Sequence, residues 1–201
     1  MTIASTRRFW LGLAGASLLL PGLANAQFSD SYNFIKAVRD RNGAKATEIT
    51  SKPGSVIIDT RDDSTGETGL MIVTRGRDLQ WMNFLLSRRA KPDLKNKQGN
   101  TALMMAAQIG FVEGAQALLR NNAGVDVANS SGETPLIVAV QQRQAAMVQV
   151  LLAAGANPSK NDSIAGLSAR DYATRDRRSS NILKLIESAK PVKASAIAGP
   201  K

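Results

Sequence analysis

A chain of 201 residues that is 43% hydrophobic but only 4% aromatic is long enough for one domain and suits small-residue helical stacking better than a large aromatic core. It contains neither cysteine nor histidine, which excludes disulfides and thiolate chemistry and removes the commonest general base, metal ligand and neutral-pH switch. Its formal charge of +10 favours attraction to anionic surfaces without bearing on fold, and solubility is an equally good reason for it.

Residues 1–26 carry Arg7 and Arg8, an apolar run from Phe9 to Leu20, then Pro21, Gly22 and the small-residue triplet Ala24-Asn25-Ala26. This pattern predicts a cleaved signal peptide with the cut before Gln27. An apolar run of about a dozen residues is short for a bilayer span. Thr6-Arg7-Arg8-Phe9-Trp10-Leu11 also resembles a twin-arginine signal. Nothing downstream suggests a cofactor that must be inserted before transport, so the Sec route is expected over Tat. No cysteine follows the run, which excludes a lipoprotein anchor. Cleavage removes two arginines and leaves 24 basic against 16 acidic residues, a charge of +8. The expected location is the periplasm of a Gram-negative bacterium, with secretion beyond the cell as the alternative.

From Phe28 to Asp63 the apolar pattern is loose. Phe34, Ile35, Ala37 and Val38 predict one short amphipathic helix, Arg41-Asn42-Gly43 breaks it, and a second begins over Ala46 to Thr50. Pro53-Gly54 ends the pair, and Ser55 to Asp63 reads as a β-prone connection. Beyond it the chain repeats itself. Gly66, Gly99 and Gly132 stand 33 residues apart, as do Thr68, Thr101 and Thr134, then Leu70, Leu103 and Leu136, and the pairs Leu85-Leu86, Leu118-Leu119 and Leu151-Leu152. A period of this length predicts stacked helical repeats. The threonine is placed to cap a first helix, Pro135 sits where a missing N–H is harmless, and the leucines mark the buried side. The last unit arrives one residue late, at Gly166, with the extra residue expected between Asp162 and Gly166. There Arg170 stands where leucine should be, which is tolerable only if nothing stacks beyond it. After Ser188 the tail has two prolines, three lysines and no period, and is expected to be disordered.

These columns closely resemble the ankyrin repeat over roughly residues 30–188. The resemblance implies an all-α solenoid of about five helix-turn-helix units with β-turn fingers, divided into a capping repeat at 27–63, repeats at 64–96, 97–129 and 130–162, a C-terminal cap at 163–188 and a basic tail at 189–201. The family's Thr-Pro-Leu-His stands here as Thr68-Gly69-Leu70-Met71, Thr101-Ala102-Leu103-Met104 and Thr134-Pro135-Leu136-Ile137. The histidine that links neighbouring repeats in the family is absent, and Met71, Met104 and Ile137 are expected to substitute apolar packing. The glycine that closes the first helix survives only as Gly110, with Arg77, Arg143 and Arg177 at the matching positions, where a left-handed backbone costs about 1 kcal/mol.

The resemblance also implies non-catalytic protein binding on a concave face built from fingers and first helices. Carried over position by position, that face offers Asp62, Ser64, Thr65, Glu67 and Arg75, then Lys95, Lys97, Gln98, Asn100, Gln108 and Ile109. The fourth unit adds Ala128, Ser130, Ser131, Glu133, Gln141 and Gln142, and the cap adds Arg175 and Asp176. Their mixed charge favours a specific protein surface over a polyanion. The basic runs at Arg88, Arg89, Lys91, Lys95 and Lys97 and at Arg175, Arg177 and Arg178 lack interleaved aromatics, so nucleic acid is not expected and solvated loops are the simpler reading. Asp59, Asp62, Asp63 and Glu67 have no EF-hand spacing and read as a solvated finger rather than a calcium or hydrolytic site. Trp81 and Met82 read as packing. No catalytic residue, cofactor or metal site is expected, and the chain is expected to be a monomer. The rival reading is an electrostatic binder of anionic lipid head groups or acidic polysaccharide, or a secreted effector.

Overall fold

The computed structural model describes residues 21–52 and 56–189. Among them are ten α-helices and no strand: α1 (Pro21–Arg39), α2 (Gly43–Thr50), α3 (Gly69–Arg75), α4 (Leu79–Ser87), α5 (Ala102–Ile109), α6 (Val112–Arg120), α7 (Pro135–Gln141), α8 (Ala145–Ala153), α9 (Ala169–Arg175) and α10 (Ser180–Ser188). Odd and even helices pair in sequence. The first helices stack α1 on α3, α3 on α5, α5 on α7 and α7 on α9, while the second helices stack α4 on α6, α6 on α8 and α8 on α10.

The first helices start where the threonines stand. Thr68, Thr101 and Thr134 hydroxyls accept the N–H of Met71, Met104 and Ile137 at 3.4, 3.2 and 3.3 Å, satisfying a donor that the helix cannot. In the cap, Ser168 does this with Asp171 in a reciprocal capping box. Behind the caps Leu103, Leu136, Leu85, Leu118 and Leu151 are fully buried, and so are Met71, Met104 and Ile137. Apolar packing therefore occupies the position that a linking histidine holds in the resemblance.

What locks one unit to the next is backbone. The N–H of Lys97 donates to the Thr65 carbonyl at 3.2 Å, Ser130 to Gln98 at 3.3 Å and Ser163 to Ser131 at 2.9 Å, so each finger is bonded to the one before. A second tie runs below: Asp59, Asp93 and Asp126 carboxylates accept the N–H of Lys91, Gly124 and Asn157 at 2.8, 2.9 and 3.1 Å. The finger glycines make the approach possible. Gly99 and Gly132 have φ of +78° and +75°, and a Cβ on either would lie 2.5 Å from the backbone nitrogen of Ser130 or Ser163. Gly166 shares the left-handed φ, +65°, but a Cβ there meets nothing within 4 Å, and no finger follows it among the described residues.

At the far end of each helix pair, Arg41, Arg77 and Arg143 adopt φ of +54°, +52° and +55°, in register with Gly110 at +65°. The resemblance placed Arg177 in this column. It lies instead in a 3-10 helix, Arg177–Ser179, and Arg41 is the member that sequence spacing missed. Each strained arginine reaches the next unit: Arg41 pairs with Asp78 at 2.8 Å, Arg77 donates to the Ile109 carbonyl at 2.9 Å, and Arg143 pairs with Asp176 at 2.5 Å. Gly110 has no side chain to send, and Gln144 reaches back to the Gln108 carbonyl at 3.3 Å.

Three expectations are corrected. The helix around Phe34 to Val38 is longer than the pattern implied, starting at Pro21. The β-prone connection is not extended over its described residues, 56–63: Ile57–Asp59 forms a 3-10 helix that buries Ile57, and the pairing described there is an isolated bridge between Arg61 and Thr68. The long finger is not confined to the cap, since the Asp62 to Gly66 turn has the same length as Asp162 to Gly166. The leader before Pro21, the Pro53-Gly54 break and the tail after Ala189 lie outside the described residues. No helix among the described residues is long and apolar enough to cross a membrane.

Gly99→Ala and Gly166→Ala separate backbone strain from finger contact. Gly166→Ala is expected to cost about 1 kcal/mol from the left-handed φ alone, and Gly99→Ala about 3 kcal/mol or more once the blocked approach is added. Urea unfolding midpoints measure the difference, and equal losses would show that finger contact does not set stability.

Candidate functional site: the inner face

The fingers and helices α1, α3, α5, α7 and α9 form one continuous face. Two positions before the left-handed residue of each unit stand Arg39, Arg75, Gln108 and Gln141, with Arg175 in the cap, and all five are exposed. One turn earlier lies a more apolar row, Ile72, Met105, Val138 and Tyr172, following Lys36 of α1. Helical spacing of three puts the two rows side by side. The floor is thus charged at the N-terminal end, amide and aliphatic in the middle, and charged again at the cap.

Most charges on this face are already engaged within the protein. Glu67 is only 5% exposed and accepts from Arg75 at 2.8 Å, so it braces the floor instead of offering itself to a partner. Arg39 pairs with Asp62 at 2.7 Å. Lys95 donates to the Ala128 carbonyl at 2.7 Å and Lys97 to the Asp63 carbonyl at 2.6 Å, each across to a neighbouring finger, while Arg61 donates to the Lys95 carbonyl at 2.5 Å. Part of the basic run read as solvated loop is therefore finger-to-finger fastening. Further along it, Arg88 donates to the Thr50 hydroxyl at 2.8 Å and lies over the Phe84 ring. Glu133 accepts from the Asn129 amide at 2.8 Å.

The remaining expected positions divide by exposure. Gln98, Ser130, Gln108, Gln141, Gln142 and Arg175 are exposed, and Ile109, Asn100 and Ser131 are half-buried. Gln141 lies close enough to act on Tyr172, and Arg175 on Asp171. Thr65 and Ser64 are taken up in the Asp62 turn. The Oδ1 of Asn100 is buried without a hydrogen-bond partner. No cluster that could hold a metal ion occurs among the described residues, and Asp59, Asp62 and Glu67 point onto protein donors.

Sequence reasoning missed a cleft of about 790 Å3 at the N-terminal end, between the α1 residues Tyr32, Ile35, Lys36 and Arg39 and the 59–64 segment. Its tyrosine is 69% exposed. Placing Arg41 in the column of Arg77 would have exposed the signal, because Tyr32 then falls in the column of the capping threonines.

The long fingers at either end use Asp62 and Asp162 where the short ones use Asn96 and Asn129, and each side chain accepts backbone N–H groups of its own turn. The Ser64 hydroxyl and the Thr65 N–H, with Arg39, hold the Asp62 carboxyl far below the ordinary carboxylate range. The Tyr172 hydroxyl, 2.7 Å away, and three backbone N–H groups lower Asp162. The Arg143 guanidinium, with the Arg178 N–H and Ser179, lowers Asp176 to about 2.

With this geometry in place, comparison with known families is decisive: residues 70–162 match the model for ankyrin repeats, in three copies. Residues 70–162 are ankyrin repeats. Such repeats generally mediate protein–protein binding and are typically non-catalytic. The match spans α3 to α8, and the end pairs α1/α2 and α9/α10 pack onto the matched repeats. No curated protein matches the chain.

Acid is expected to loosen the cap through Asp176. Its folded-state value lies below the ordinary 3.8, so its contribution is complete above that value and is lost as pH falls towards about 2. Asp176→Asn should lower the urea midpoint at pH 7 and shrink the loss seen between pH 4 and pH 2. An unchanged acid profile would show that the Arg143 pair contributes nothing.

Proposed function

We propose that this protein is a non-catalytic binding module of the bacterial cell envelope that takes a protein partner on its concave ankyrin face. The observation that carries the reading is the state of that face. Its fingers are fastened to one another by backbone bonds and lysine-to-carbonyl bonds, and its charges are largely engaged internally. What is left for a partner is Gln98, Ser130, Gln108 and Gln142 beside half-buried Ile72 and Ile109. Amides and aliphatic side chains on a pre-organised frame suit a protein surface, because little conformational freedom is lost on binding and no strong field selects a polyanion.

The signal-like sequence of residues 1–26 supports the envelope setting. The described core begins at Phe34, so a cut before Gln27 removes none of it. Periplasmic residence after Sec transport is the setting proposed, and the protein acts there as a monomer.

Two measurements test this. Gln108→Arg with Gln142→Arg changes exposed side chains that make no internal bond, and it is expected to abolish at least nine-tenths of the capture of a stoichiometric envelope protein at high salt without shifting the melting temperature; undiminished capture would rule out the face. Fractionation with N-terminal sequencing should recover from the periplasm a chain beginning at Gln27, and a cytoplasmic chain retaining residues 1–26 would rule out export.

A further inference from the structure

The second and third fingers each turn one carbonyl and one N–H, two residues apart, towards the finger before. The Lys95 carbonyl accepts from the Arg61 side chain at 2.5 Å, and the Lys97 N–H donates to Thr65 at 3.2 Å. One unit on, the Ala128 carbonyl accepts from the Lys95 side chain at 2.7 Å, and the Ser130 N–H donates to Gln98 at 3.3 Å. These groups flank Asn96 and Asn129, which brace their turns as Asp62 braces the first finger. By that register the first finger offers the Arg61 carbonyl and the Asp63 N–H.

No finger precedes them among the described residues, where α1 is already helical from Pro21, well ahead of Tyr32 in the capping column. The Asp63 N–H accordingly finds no acceptor among the described residues. Arg61 and Asp63 both line the cleft of about 790 Å3 between α1 and residues 59–64. A donor and an acceptor at this spacing on an open edge are what an extended peptide backbone satisfies.

The cleft also differs in charge from the protein around it. Its walls carry four acids, Asp40, Asp59, Asp62 and Asp63, against the three cations Lys36, Arg39 and Arg61, a balance of −1 in a chain of +10. Three of the acids are held: Asp40 by Lys36 at 2.6 Å, Asp62 by Arg39 at 2.7 Å and Asp59 by the Lys91 N–H at 2.8 Å. The Asp63 carboxylate has no partner among the described residues. On the α1 wall Tyr32 is 69% exposed. An unpaired carboxylate across from an open aromatic ring suits an ammonium or guanidinium group.

We infer that this cleft binds an extended basic segment of a partner protein. Its backbone continues the finger ladder on Arg61 and Asp63, and its lysine or arginine lies between the Tyr32 ring and the Asp63 carboxylate. An acidic segment would meet that carboxylate, while the three cations on the walls are already engaged. The site is built from α1 and the first finger alone, so it does not depend on what occupies the middle of the inner face.

Amide hydrogen exchange in the full chain reads the open edge directly. The Asp63 amide is expected to exchange at least about tenfold faster than those of Lys97, Ser130 and Ser163, which are bonded to the finger before. Acetyl-Thr-Val-Lys-Val-Thr-amide should slow it about tenfold. The same peptide with glutamate for lysine, or N-methylated throughout, should leave it unchanged. Tyr32→Ala and Asp63→Asn are each expected to weaken the lysine peptide about tenfold without shifting the melting temperature. Both control peptides act on the unaltered protein, so the result does not hang on the folding of a variant. An Asp63 amide already as slow as that of Lys97, no protection by the lysine peptide, or equal protection by the glutamate peptide would each overturn the inference. Protection that rises with protein concentration alone would assign the edge to a second copy and overturn it too. Gln108→Arg with Gln142→Arg leaves peptide binding intact, so failure of the groove reading and failure of this one are distinguishable.

Discussion

The backbone bond between adjacent fingers is the constraint on which the stack depends. It requires each finger to approach the next so closely that a Cβ on Gly99 or Gly132 would strike the neighbouring main chain. Glycine supplies the left-handed φ and the missing atom together, which is why it recurs at the repeat period while the rest of the finger varies. The aspartates at 59, 93 and 126 then clamp the finger bases at the same interval. Registration is thus set by polar bonds with strict geometry, and the buried leucines and methionines contribute stabilisation that a small slip would not abolish.

A repeat array without histidine has to join its units at the other end by different means. Here arginines in left-handed backbone do it, and the strain of about 1 to 2 kcal/mol at each is offset by a guanidinium that spans to the next pair. Arg41 and Arg143 meet carboxylates, so the two outer junctions are ionic, whereas Arg77 and Gln144 meet carbonyls in the middle. The same division appears in the fingers, with aspartate at the ends and asparagine inside.

This arrangement also explains how a strongly basic protein presents a nearly neutral inner face. Lysines and arginines there are taken up by carbonyls and carboxylates of the fingers.

By itself the sequence determined the helical repeat, its period, the capping threonines and the buried leucines, because each is a local preference repeated at a fixed interval and periodicity multiplies a weak signal. Tertiary structure decided which polar residues remained free. Glu67 and Lys97 look like groove residues in the repeat alignment, yet one is buried under Arg75 and the other is fastened to the Asp63 carbonyl. Arg41 and the Tyr32 cleft were hidden because the first unit departs from the spacing that made the others legible. A side chain's partner across a repeat boundary depends on how two units are placed in space, and no pattern within one unit encodes that distance.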